Sequence, residues 1–214
     1  MLNNKDFCDY KHTVRIKYPK LIKNVLVFLE DKRFYTHQGY DTVAIKAALK
    51  ANIKERKILY GASTITQQLA KNLFLTNEQT IKRKMKEFTL ARKIEKVYSK
   101  DQILDLYLNN VEFMKDVKGM EEACKYYYKK NVNEIGFFES VCLLSLLKAP
   151  VDYNPKKNIE LNKKAREKSI NTLLVNNVVD KKDAKKLASL DFWDNDIKLD
   201  NKYKKRIEAL YTND

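Results

Sequence analysis

Glycine and proline are scarce, 4 and 3 residues out of 214, so positive-φ turns and chain-breaking rings are few. That excludes a turn-dense architecture and leaves helices to dominate; the expected fold class is mainly α. Cysteine is scarce too. Cys8, Cys124 and Cys142 are odd in number and show no short metal-type spacing, and the two histidines, His12 and His37, lie far apart. A disulfide framework and a zinc site are therefore excluded. Long hydrophobic runs are missing as well: the best are Val25–Leu29 and the interrupted stretch 141–147, far below the ~18–20 residues that span a bilayer. The expectation is a chain with neither membrane anchor nor signal peptide. There is no internal repeat, low-complexity linker or sustained heptad.

What is present is positive charge. The formal net charge is +15, and the first 110 residues hold 22 of the 43 Lys and Arg but only 11 of the 28 Asp and Glu. Such a field draws polyanions: nucleic acid, an anionic membrane surface, or a diphosphate substrate. With 44% hydrophobic residues, the length suits one domain with a proper core, or a large lobe plus a small one. Residues 1–18 read as a poorly ordered lead-in, 19–190 as the functional domain and 191–214 as a C-terminal extension.

Pro19 stands at a helix start, and the apolar residues from Leu21 to Leu29 carry that helix into Glu30-Asp31-Lys32-Arg33-Phe34-Tyr35-Thr36-His37-Gln38-Gly39. Asp41 is placed to cap a second helix bearing Val43, Ala44, Ala47 and Ala48. The basic connection from Lys54 to Lys57, interleaved with Ile53, Ile58, Leu59 and Tyr60, is either a solvated loop or a stretch lying on anionic lipid. Gly61 then leads into a helix whose start carries Thr64 and Gln67 at capping-box spacing, with Ile65, Leu69 and Leu73 as a buried stripe. Residues 79–98 form the next helix, with Ile81, Met85, Phe88, Ala91, Ile94 and Val97 on one stripe. Ser99 and Gln102 open another at Ile103, and further helices fall near 133–148, 159–176 and 181–190.

Packing does not explain Thr64, Gln67, Gln68, Lys71 and Asn72. An amide-rich solvent face would, but their identity argues otherwise. Ser63-Thr64-Ile65-Thr66-Gln67-Gln68 followed by Lys71-Asn72 resembles the second signature of the family 51 glycosyltransferases, the peptidoglycan polymerases that consume lipid II. Glu30-Asp31, Phe34, His37 and Gly39 resemble the first. Arg83-Lys84-Met85-Lys86-Glu87 resembles the third, and Lys100, Ile103-Leu104 and Tyr107-Leu108-Asn109 the fourth. Arg166 with Ile170-Asn171 is only loosely similar to the fifth. The resemblance covers about residues 20–190, and nothing like a transpeptidase domain follows. Two positions depart from the pattern. Gln79 stands where an Arg is usual, and the stretch after the fourth signature keeps only Gly119 of its glycines.

The residue types suit the chemistry on their own terms. Moving a sugar from a lipid diphosphate to a sugar hydroxyl needs a base at the acceptor and positive charge at the departing diphosphate. Glu30 and Glu87 are the carboxylates chosen. The resemblance implies that Glu30 deprotonates the acceptor 4-hydroxyl, which attacks with inversion to give a β-1,4 bond, and that Glu87 assists at the donor. Without it, Glu87 would be half of an i,i+4 pair with Arg83, worth about 0.2–0.5 kcal/mol. Lys71, Arg83 and Lys84 are the expected diphosphate ligands, at about 1.5–3 kcal/mol per charge-assisted hydrogen bond. His37, Ser63, Thr64, Gln67, Gln68 and Asn72 complete the expected substrate contacts, with capping or structural roles as the alternatives.

The fold implied is lysozyme-like, with a cleft between a large lobe and a small membrane-facing one. No cofactor is required; a divalent cation (Mg or Mn) at Glu87 is the one the resemblance allows. The implied partners are lipid II, the growing lipid-linked glycan, the membrane surface and other cell-wall synthesis proteins, without nucleic acid. The implied location is the outer face of the bacterial cytoplasmic membrane, peripheral or through an anchor absent from this chain. Two rivals remain open. A glycan hydrolase could use the same carboxylates with water, though glycan offers no diphosphate to the cations. A polyanion-binding protein could use the 13 Tyr, yet they are scattered and no nucleic-acid motif accompanies them.

Overall fold

A computed structural model describes residues 16–56, 61–75, 80–194 and 196–210. Cys8, His12, most of the lead-in, the connection 57–60 and Gln79 lie outside the described residues. The chain is mainly α, with one two-stranded antiparallel sheet among the described residues. Helix α1 spans Lys20–Glu30. It is followed by α2 (Thr42–Glu55), α3 (Ile65–Phe74), α4 (Ile81–Val97) and α5 (Lys100–Asn110). Strands β1 (Glu112–Met114) and β2 (Val117–Lys118) form a hairpin. Helices α6 (Met120–Tyr128), α7 (Phe137–Ser145), α8 (Ile159–Val175), α9 (Lys181–Ser189) and α10 (Ile197–Ala209) complete the chain. Two compact units result: residues 30–110, and residues 16–29 with 111–210.

In the first unit each helix begins where a side chain satisfies N–H groups that the helix itself leaves orphaned. Asp41 accepts from Ala44 N–H at 2.9 Å, and Thr80 from Arg83 N–H at 3.1 Å. Ser99 and Gln102 cap each other reciprocally before α5. The capping box expected at Thr64 and Gln67 is present and starts α3. Helix α3 packs against both α4 and α5. Ile65, Leu69 and Ala70 are buried there with Leu90, Ala91 and Ile94 of α4 and Ile103, Leu104, Tyr107 and Leu108 of α5. Gly39, at φ 95°, seats the preceding loop against α4; a Cβ there would lie 2.9 Å from the Ala91 carbonyl carbon.

The stripe expected on α4 needs correction. Ile81 is 86% exposed and Met85 65%, and the buried line is Glu87, Leu90, Ala91 and Ile94. The packed face is rotated so that a carboxylate, not Phe88, stands on it. Helix α2 differs too: none of its residues is buried, and Val43, Leu49 and Ile53 are exposed. It is held by its caps, Asp41 at one end and the left-handed Arg56 at the other.

The second unit is built around α7, whose nine residues are all buried and which packs on α8 and α10. In α1 the eight residues Leu21 to Phe28 are buried, including Lys23 and Asn24, so the helix is covered on all sides rather than amphipathic. Asn24 donates to the Ile207 carbonyl at 3.0 Å. Phe192, Tyr203 and Ile207, from the stretch expected as an extension, lie in this unit's core. Arg166 is buried between Asn162 Oδ1 and the Leu190 carbonyl, a structural tie. The free thiols of Cys124 and Cys142 are buried, and burial pushes Cys142 up to about 12. The β1–β2 hairpin was not foreseen. It turns through Asp116 at φ 68°, and Gly119 at φ 88° passes the chain into α6.

Asp200 of α10 accepts the Phe138 N–H at 2.8 Å and so caps α7 from another helix. A Cβ on Gly136 would stand 2.0 Å from Asp200 Oδ2. The carboxylate can swing away, but the cap bond is then lost. Gly136→Ala is expected to lower stability by about 1 kcal/mol. Asp200→Ala should cost a similar amount, and the double variant little more than either, as chemical denaturation of the three would show.

Candidate active site

Glu30 ends α1 and opens the first unit. Its Oε2 accepts from Gln68 Nε2 at 3.1 Å, and Gln68 Oε1 accepts from the Tyr107 hydroxyl at 2.8 Å. Burial, followed by the charge of Glu30, holds the Tyr107 phenol protonated well above the ordinary tyrosine range. Glu30 lines a cavity of about 170 Å³ with Asp31, Arg33, Asp41, Ser63 and Thr64. Ser63 Oγ accepts from Lys84 Nζ at 2.8 Å, and the same ammonium donates to Glu87 Oε2 at 2.7 Å. Arg83 Nη2 lies 3.5 Å from Glu87 Oε1. Glu87 is thus 4% exposed at its side chain, with both oxygens facing cations.

Ser63 and Lys84 thus tie Glu87 to the cavity that Glu30 lines. Lys71, partly exposed on α3, has no carboxylate partner among the described residues, and Asn72 is exposed beside it. Arg83 Nε is buried without a hydrogen-bond partner among the described residues. A buried carboxylate beside two cations, with a further cation on the neighbouring helix, is an arrangement for anion chemistry rather than for a metal. Among the described residues no group of three or more His, Cys, Asp or Glu could hold an ion. Glu87 does not suit a divalent cation either, because its oxygens already face Lys84 and Arg83.

His37, Thr64 and Gln67 are turned to internal work. His37 is 8% exposed at its side chain, and its Nε2 lies 2.9 Å from Asp31 Oδ2. Its Nδ1 accepts the Gly39 N–H at 3.3 Å. With Nδ1 an acceptor, the network puts the proton on Nε2, donating to Asp31. Asp31 Oδ2 also accepts the Ile65 N–H at 3.0 Å, so this bracket ties the loop after Glu30 to the start of α3. Thr64 donates to the Gly39 carbonyl at 2.7 Å. Gln67 is buried in the capping box, its Nε2 without a partner among the described residues. Asp41 feels burial, which raises it, but the Ala44 N–H and Arg33 outweigh this and hold its carboxyl below the usual range.

The sequence reading gave no role to three residues that hold this site. Lys100 Nζ donates to the His37 carbonyl at 2.6 Å and to Glu95 Oε1 at 2.9 Å, and lies 4.4 Å from the centre of the Phe34 ring. Glu95 also accepts from Thr66 at 2.6 Å. Tyr107 supports Gln68. Lys100 and Tyr107 both stand in the fourth signature, which was the available signal; Glu95 had none.

A mainly helical chain in which Lys84 and Arg83 face the buried Glu87 carboxylate, with Ser63 on the same ammonium, presents positive charge suited to an anionic group. The chain belongs to the transglycosylase family, whose model matches residues 7–175. It is similar to penicillin-binding protein 1A of Aquifex aeolicus, 46% identical over 139 residues, covering 65% of this chain and 19% of that protein. Penicillin-binding protein 1A of Neisseria gonorrhoeae is 41% identical over 157 residues, covering 73% and 20%. Penicillin-binding protein 1F of Bacillus subtilis is 40% identical over 149 residues, covering 70% and 21%. The chain spans about a fifth of the length of these curated relatives.

Proposed function

We propose that this chain is a peptidoglycan glycosyltransferase that polymerises lipid II into β-1,4-linked glycan strands. The observation that carries this is the linked pair of carboxylates: Glu30 and Ser63 line one cavity, and Ser63 is bonded through Lys84 to Glu87. Glu30 takes the proton of the acceptor 4-hydroxyl. The freed oxygen attacks the anomeric carbon of the lipid-linked chain, and the bond from that carbon to the diphosphate breaks with inversion. Its electron pair leaves on undecaprenyl diphosphate, whose charge Lys71, Arg83 and Lys84 stabilise. Glu87 holds Lys84 and Arg83 in place at the donor. Ser63 and Asn72 remain the polar groups offered to sugar and phosphate, whereas Gln68 is engaged by Glu30 and Tyr107, and Thr64, Gln67 and His37 shape the site from within.

The substrate is lipid-borne, and the first unit has features suited to a membrane surface. Val43, Leu49 and Ile53 of α2 are exposed, as are Ile81 and Met85 of α4. A groove of about 620 Å³ is walled by Phe74, Leu75, Met85 and Leu90 and rimmed by Lys82 and Lys86. Apolar side chains among lysines suit the headgroup boundary of an anionic leaflet. No helix among the described residues is long and apolar enough to cross a membrane. We place the chain at the outer face of the bacterial cytoplasmic membrane.

Incubation with purified lipid II in detergent, followed by sizing of the products, tests the activity; absence of polymer overturns it, and shortening of added glycan would favour hydrolysis. Lys71→Ala and Arg83→Ala are each expected to weaken lipid II binding by about tenfold or more, since a charge-assisted bond is worth about 1.5–3 kcal/mol. The loss should shrink at high salt. Unchanged affinity at low salt would remove these two residues from the diphosphate site.

A further inference from the structure

Glu30, Gln68 and Tyr107 come from three different helices and form a directed chain of hydrogen bonds. Tyr107 is 1% exposed, so no water competes for its hydroxyl. It donates to Gln68 Oε1 at 2.8 Å, and Gln68 Nε2 donates to Glu30 Oε2 at 3.1 Å. A primary amide offers a donor at one end and an acceptor at the other, so whatever binds one end decides what the other presents. We infer that Tyr107 and Gln68 are positioning residues for Glu30: the buried hydroxyl locks the Gln68 amide with its N–H toward the carboxylate, aiming Glu30 and keeping it in its proton-accepting form. This rests on the reading of Glu30 as the general base.

The physical reason is an asymmetry between the two settings of the amide. With the N–H toward Glu30, the ionised carboxylate is stabilised. Turned over, Gln68 would face Glu30 with its carbonyl, which repels a carboxylate and accepts only from a protonated one. Glu30 also closes a helix C-terminus, where the aligned peptide dipoles disfavour negative charge. A fixed donor offsets that disadvantage. Of the described residues, Asp31, Lys32, Arg33 and Asp41 are the charged groups that line the same cavity as Glu30, and Lys84 reaches it through Ser63. All of them stay in place when Tyr107 or Gln68 is changed, so a difference from wild type reports on the relay.

The test is the pH–rate profile for lipid II polymerisation by wild type, Tyr107→Phe, Gln68→Met and Gln68→Glu, with lipid II affinity and thermal stability measured alongside. Tyr107→Phe is expected to leave KM within about twofold and to move the acid limb up by about 0.5–1 pH unit, so that its turnover recovers as pH rises. Gln68→Glu, which sets a second carboxylate beside the first, should move the limb further. If Tyr107→Phe does not fold, Gln68→Met carries the same test from the other end of the relay, at a half-buried position. An acid limb that stays where it is in folded variants overturns the relay. So does a rise in KM for Gln68→Met with no shift of the limb, which would make Gln68 a substrate contact, and so does a loss that high pH does not restore. Glu30→Gln separates the two levels: normal polymerisation by that variant sinks the general-base reading itself, whereas an inactive Glu30→Gln beside an unmoved limb sinks only the relay.

Discussion

Glu30→Gln leaves a folded protein that binds lipid II and polymerises it about 10²–10⁴ times more slowly, the usual consequence of removing a general base. The substitution is nearly isosteric, so the cavity shared with Ser63 and Arg33 keeps its shape. It also leaves the cations of the donor side, Arg83, Lys84 and Lys71, untouched, and these set affinity for the diphosphate. The expected pattern is therefore a loss in kcat with binding retained. Initial rates against lipid II concentration, together with direct binding in detergent, separate the two. Turnover close to wild type would mean that another group accepts the acceptor proton, and the assignment would fail.

Much of this site can be read in the sequence because its spacing is local. Thr64 and Gln67 must stand three apart to cap α3, and Arg83, Lys84 and Glu87 must fall within one helical turn to meet. Helix positions followed for the same reason: α3, α4, α5, α8 and α9 lie close to where caps and apolar periodicity put them. The facing of α4 did not follow. Its hydrophobic stripe points to Ile81 and Met85, but burial is decided by α3, and α3 meets the side bearing Glu87. A functional carboxylate on a packed face is invisible to a pattern that equates burial with apolar residues. The Asp31–His37 bracket, the Lys100 tether and the Tyr107–Gln68 relay were hidden for a different reason. Each joins residues separated by between 6 and 63 positions, and only the fold brings such partners within hydrogen-bond reach.

Asp31 is where that long-range bracing concentrates, and Asp31→Ala is expected to be among the most destabilising single changes in the first unit. Its buried carboxylate takes two donors, the His37 ring N–H and the Ile65 backbone N–H. Alanine leaves both buried and unpaired, at about 1–3 kcal/mol for each such group, so the loss should be about 2–4 kcal/mol after partial relaxation. Asp31→Asn keeps one acceptor oxygen and should cost about half as much. The effect on catalysis differs in kind from that of Glu30→Gln. Releasing His37 frees the loop that follows Glu30, so the base loses its fixed direction and turnover falls even at temperatures where the variant stays folded. Denaturant titrations of wild type, Asp31→Ala and Asp31→Asn give the stability order, and polymerisation at low temperature gives the catalytic one. If Asp31→Ala unfolds at the same midpoint as wild type, the bracket is not what joins the loop to α3, and the Thr64 bond to the Gly39 carbonyl would have to hold that join alone.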